Sequence, residues 1–193
     1  MISSTNIKVK AQELLKPFAE RAGSVGVSPN IITVTGFVFS FISGITIGMN
    51  NFFVGTLFFI LSGLCDMLDG ITARVNGKTS RFGSFLDSFL DRYSDFFPLA
   101  GISILGFYLQ NFDLFILSLL SIVGSFATSY ARAKAESLNI ECKVGILERP
   151  ERFFLLLAGL ITGFLVECLL ILAVLSNITA FQRLLCAAEK LKK

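Results

Sequence analysis

Apolar residues come in six long runs, separated by short segments that hold almost every charge. The runs fall at about 31–50, 52–73, 83–108, 113–133, 151–166 and 169–188. A helix that crosses the hydrocarbon core needs ~20 mostly apolar residues, so the pattern predicts six transmembrane helices. The fifth run is short, which suits a tilted helix or one partly buried by its neighbours. Ahead of them, residues 5–24 mix Ile7, Val9, Leu14, Leu15, Phe18 and Ala22 with Lys and Glu. That mixture suits an amphipathic helix lying on the membrane surface, kinked at Pro17, or a solvated helical leader. The expected fold is all-α and membrane-embedded, one domain over residues 1–193 with no internal repeat.

Composition supports this class. Of 193 residues, 53% are hydrophobic and only 16% charged, against about a quarter charged in soluble domains. Met1–Asn6 is mostly polar, and Lys8, Lys10 and Lys16 follow without an apolar core, so no cleaved leader is expected. The net charge of +3 matters less than its placement. All 17 Lys and Arg lie in the leader, near 74–92, in 132–152 or in 183–193. The alternate loops around 49–52, 110–113 and 166–168 hold none. By the positive-inside bias, both termini and every basic loop face the cytoplasm at the cell membrane. No nucleic-acid partner is expected. The four Cys, at 65, 142, 168 and 186, have no metal or redox spacing and read as small packing residues. With no His, acid–base chemistry falls to carboxylates, Lys, Tyr or water.

Against this background stand Asp66, Asp69, Asp87 and Asp91, at the edge of the second and third runs. Asp66 and Asp69 are three apart and Asp87 and Asp91 four apart, so each pair shares one face of its helix. The segment 75–81 is short enough to set the two helices antiparallel, and four carboxylates can then converge. Their repulsion calls for one or two hard divalent cations, Mg²⁺ or Mn²⁺. Gly70 and Gly83 suit close approach of a ligand or helix, and Arg74 suits a phosphate clamp. Metal with a phosphate clamp is equipment for phosphoryl transfer. The plainer alternative is that these Asp cap helices or pair with Arg74, Arg81 and Arg92. Asp95, four beyond Asp91, continues the face and reads as a supporting residue.

The full spacing, Asp66-x2-Asp69-Gly70-x2-Ala73-Arg74-x8-Gly83-x3-Asp87-x3-Asp91, resembles the signature of the CDP-alcohol phosphotransferase family at all eight fixed residues. The resemblance covers roughly residues 25–190. It implies a six-helix membrane enzyme, a homodimer, that joins a CDP-linked donor to an alcohol and releases CMP at the cytoplasmic face. It also implies roles. Asp66, Asp69, Asp87 and Asp91 become metal ligands, with Asp91 also the general base. Gly70, Arg74 and Ser80 become CDP-lipid contacts, together with Pro29, Asn30, Ile31 and Ile32 before the first span. Pro29-Asn30 also reads as ordinary helix-start punctuation.

The acceptor is addressed by a second group of residues: Arg132 and Lys134 at the end of the fourth run, Arg149 and Arg152 at the start of the fifth, and Arg183 inside the sixth. A neutral alcohol needs no such set of cations, whereas a phosphorylated acceptor does. Positive-inside anchoring accounts for any one of them alone. The runs Ser129–Glu136 and Gly145–Arg152 and the stretch 178–184 resemble the phosphatidylinositol phosphate synthase branch, most nearly its archaetidylinositol phosphate form. That implies a myo-inositol 1-phosphate acceptor and a donor of CDP-archaeol or CDP-diacylglycerol. Arg132 and Lys134 stand exchanged relative to some members, which keeps charge but not fork geometry. Glu148 and Glu151 are expected to orient the arginines. Two alternatives remain: transfer to glycerol phosphate, as in phosphatidylglycerol phosphate synthases, and, more remotely, a divalent-cation transporter. Transport predicts acids spread across the membrane depth, whereas these gather at one face.

Overall fold

The computed structural model describes residues 15–192, and among these every regular element is an α-helix. The first helix, α1, is described over residues 15–24 and includes Pro17. The earlier part of the expected surface helix, residues 5–14, lies outside the described residues. Six helices follow: α2 (Pro29–Gly48), α3 (Phe52–Val75), α4 (Arg81–Tyr108), α5 (Phe112–Ser137), α6 (Arg149–Thr162) and α7 (Leu165–Leu191). They correspond one to one with the six apolar runs, every boundary within four residues.

Four of the six, α2, α3, α5 and α7, are long and apolar enough to cross a bilayer, and the chain is a multi-pass membrane protein. The expected six spans are therefore met only in part. In α4 the charges Arg81, Asp87, Asp91, Arg92 and Asp95 fall within the first 15 of its 28 residues, leaving too short an uncharged stretch. In α6 the limit is length: its 14 residues rise about 21 Å, against a hydrocarbon core of ~30 Å.

Two compact units emerge, and α2, α3 and α4 each contribute to both. The first comprises Met1–Ile42 and Phe58–Ser94 and carries the whole aspartate motif. Here the Asn76 side-chain amide donates to the carbonyls of Ala19 (3.2 Å) and Thr72 (2.9 Å), fastening α1 to the end of α3. Ser28 caps α2 by accepting from the Ile31 amide at 3.3 Å, and Pro29 follows at the first helical position, where its missing N–H is harmless. Pro98 interrupts α4 and cannot donate to the Ser94 carbonyl. The Ser40 hydroxyl of α2 does so instead, at 2.7 Å.

The second unit comprises Ser43–Leu57 and Asp95–Lys193 and carries all five basic candidates. Gly44 of α2 and Gly101 of α4 face each other so closely that a Cβ on either would strike opposing backbone. Helices α5 and α7 run parallel through buried hydroxyls: Thr128 donates to the Ser176 carbonyl at 2.8 Å and Ser121 to that of Leu169 at 3.4 Å. Small and hydroxylated residues are what let helices approach where lipid removes the hydrophobic drive. Between them α6 returns the chain and ends at Gly163, whose φ of 82° is the left-handed cap that glycine allows.

The loop between α5 and α6 is bound to α7. The Leu147 amide donates to Thr179 Oγ1 at 3.1 Å, and Lys190 Nζ to the Glu141 carbonyl at 2.6 Å. A disulfide joins Cys142 to Cys186. This corrects the reading of these two Cys as packing residues: their separation of 44 in sequence gives no local spacing from which to read the bond. Cys65 and Cys168 are free thiols.

Candidate active site

Asp66 on α3 and Asp87 and Asp91 on α4 each offer a carboxylate oxygen, all within 4.8 Å of one another and half-buried. The i, i+4 spacing on α4 stacks two of them on one face, and α3 supplies the third. Asp91 Oδ2 also lies 3.6 Å from Arg92 Nη2. Three carboxylates in so small a space repel unless a cation joins them. Their all-oxygen chemistry fits a hard divalent ion.

Asp69 is outside this trio of ligand atoms but lies in the electrostatic neighbourhood of Asp66 and Asp87. It is 5% exposed, and its Oδ2 is buried without a hydrogen-bond partner. A buried carboxylate oxygen left without a partner is unfavourable. A bound cation would supply the missing partner. The four aspartates expected to converge are thus three within reach of one ion and a fourth beside them, buried with an unanswered oxygen.

The residues expected to hold a CDP headgroup lie at the surrounding helix ends of the same unit. Ser80 Oγ accepts from the Gly83 amide at 2.9 Å, capping α4. A Cβ on Gly83 would sit 3.0 Å from Ser80 Oγ and 3.1 Å from Asn30 Oδ1. Gly83 therefore lets the start of α2 close on the start of α4, bringing Asn30 and Ser80 to one place. On α3, a Cβ on Gly70 would be 3.3 Å from Arg74 Nη1, so the guanidinium lies across the bare glycine. Arg74 itself is exposed. Pro29, Asn30, Ile31 and Ile32 form the first turn of α2, as the punctuation reading also required, with Ile31 exposed.

In the second unit the basic residues divide by burial. Arg183, 4% exposed, donates from Nε to the Val144 carbonyl (3.0 Å) and from Nη1 to the Thr128 carbonyl (2.9 Å). Arg152, 5% exposed, donates from Nη1 to the Leu147 carbonyl at 3.5 Å, and its buried Nε has no partner. Arg132 and Arg152 both lie in the electrostatic neighbourhood of Arg183, with Glu136 and Glu148. Arg132 is exposed and pairs with Glu136 one turn on, at 2.8 Å. Lys134 is also exposed and is not among the charges that act on Arg183. The carboxylate that holds Arg149 and Arg152 is Asp95, not Glu148 or Glu151: Oδ1 accepts from Arg149 Nε at 3.3 Å and Oδ2 from Arg152 Nη2 at 3.2 Å. From the sequence, Asp95 reads as a support of the aspartate face. Its only sequence signal was its position one turn beyond Asp91.

The family model of CDP-alcohol phosphatidyltransferase matches residues 26–182. The archaetidylinositol phosphate synthase of Methanothermobacter thermautotrophicus is 35% identical over 187 residues, 94% of this chain and 92% of that one. The crystal structure of Mycobacterium tuberculosis phosphatidylinositol phosphate synthase with CDP-DAG bound superposes with a TM-score of 0.83 at 32% identity, covering 91% of this chain and 94% of that one. The same enzyme in complex with manganese and citrate gives 0.83 at 33% identity, over 90% and 88% of the two chains.

Proposed function

The chain belongs to the CDP-alcohol phosphatidyltransferase family, and from that premise we propose that it transfers the phosphatidyl or archaetidyl group of a CDP-lipid to a hydroxyl of myo-inositol 1-phosphate, releasing CMP. The observation that carries the acceptor assignment is the buried Arg152 Nε without a partner, in the electrostatic company of Arg183 and Arg132. A buried guanidinium donor left unmade asks for an anion. The names of the relatives, archaetidylinositol phosphate synthase and phosphatidylinositol phosphate synthase, support the same acceptor class.

Asp66, Asp69, Asp87 and Asp91 would hold two divalent ions, Mg²⁺ or Mn²⁺; the manganese complex of the solved relative supports the metal. Bound there, the metal supplies charge neutralisation for the donor diphosphate and the departing CMP. Arg74, laid along the bare Gly70, pairs with a donor phosphate, while Asn30 and Ser80, with Pro29, Ile31 and Ile32, cradle the nucleotide. Arg132, Lys134, Arg149, Arg152 and Arg183 bind the acceptor phosphate. Asp91 removes the proton from the acceptor hydroxyl. That oxygen attacks the phosphorus bearing the lipid, and the bond to the CMP oxygen breaks. Positioning and charge compensation supply most of the acceleration.

In the membrane, α2 to α7 cross as six spans, α4 and α6 among them through cover from neighbouring helices. Both termini and the reacting groups face the cytoplasm, where soluble CMP leaves. The whole chain acts as one catalytic domain within a homodimer. The deciding experiment supplies the purified protein with Mg²⁺ and CDP-archaeol or CDP-diacylglycerol, and measures CMP release over an acceptor panel. Release that requires inositol 1-phosphate is expected. Equal release with free inositol or glycerol 3-phosphate defeats the acceptor assignment, and metal flux into liposomes without CDP-lipid would favour transport instead.

A further inference from the structure

The first turn of α6 poses an electrostatic problem. Arg149 and Arg152 sit three residues apart there, where the helix dipole disfavours cations and two like charges repel. One of them is buried. One carboxylate reaches both: Asp95 of α4 divides its oxygens between Arg149 Nε and Arg152 Nη2. These contacts, at 3.3 and 3.2 Å, are longer than the ~2.7–2.9 Å of a tight charge-assisted bond. They orient both guanidinium groups, and Arg152 Nε stays unmade.

We propose that Asp95 is a positioning residue that presets Arg149 and Arg152 as one clamp for the phosphate of the acceptor, an inference that rests on the reading of the acceptor as phosphorylated. Asp95 lies outside the eight-residue aspartate motif. Its carboxylate removes the conformational freedom of two long side chains before substrate arrives, so binding does not have to order them. It also leaves the three groups with a net positive charge, so an incoming phosphate dianion is still attracted.

The sign of the effect separates positioning from simple charge. Were Asp95 only a nearby negative charge, its neutralisation would tighten binding of an anion. As a positioning group, its loss loosens the clamp and weakens binding. In Asp95→Asn, the KM for inositol 1-phosphate and the inhibition constant of inorganic phosphate should both rise about tenfold, the scale of one hydrogen bond to a charged group. The KM for CDP-lipid should stay within about twofold, because a general loss of packing would move donor and acceptor together. Asp95→Glu keeps the charge and displaces it by one methylene; it should show the same pattern at smaller size and stands in if Asp95→Asn does not accumulate. Tighter or unchanged phosphate inhibition, or equal shifts in both substrates, overturns the inference. A wild-type protein indifferent to the acceptor phosphate defeats the functional reading itself, a separate outcome.

Discussion

The aspartate cluster and the arginine cluster solve opposite electrostatic problems in different ways. In the first, three carboxylates crowd within 4.8 Å and a fourth is buried with an oxygen unmade. The arginines instead arrive oriented, Arg183 by the carbonyls of Thr128 and Val144, Arg149 and Arg152 by Asp95, with Arg152 Nε alone left for a partner among their buried side-chain atoms. A cluster that repels itself is completed by a strongly charged, closely coordinated partner. One that is pre-bonded can accept a partner that comes and goes. That contrast suits a resident metal on the one side and a diffusible substrate on the other.

Three substitutions bear on this contrast, in decreasing order of effect. Asp91→Asn should lower turnover by about 10²–10⁴-fold, the range for loss of a positioned general base, in an assay of CMP release. CDP-lipid binding, followed by titration, should largely persist; full turnover would strip Asp91 of its role and leave the acid cluster structural. Arg152→Ala should raise the acceptor KM by about 10–100-fold, as expected for a lost charge-assisted bond, with a far smaller change in the donor KM. Equal changes would mean that the arginines are scaffold and that the contrast fails. Cys142→Ser should lower the thermal midpoint, by a stability loss of no more than about 4 kcal/mol for a loop of this length. The acceptor KM should barely move, since Arg183 and Thr179 still hold the same loop. A large rise in KM would show the disulfide to be part of the clamp's architecture.

The two clusters also differed in how far the sequence revealed them. Asp87 and Asp91 share a helix, so their spacing alone placed them together, and Asp66 followed once α3 and α4 were recognised. Asp69 shares the face of Asp66 one turn away, but its carboxylate is buried rather than joined to the other three. The helices themselves were legible from apolar run length. The membrane assignment of α4 and α6 was less so, since one mixes charge into its first half and the other is short. Asp95 meets Arg149 and Arg152 across 54 and 57 residues, and Cys142 meets Cys186 across 44. No local periodicity encodes such pairs. Only packing brings them together.

The disulfide also bears on how the protein is made. The closed circuit it creates runs from the loop before α6 to the last turns of α7 and encloses all of α6. Cys186 emerges from the ribosome late, so the bond can close only after the final helix has been synthesised. Once it is closed, α6 and most of α7 lie within one covalent loop.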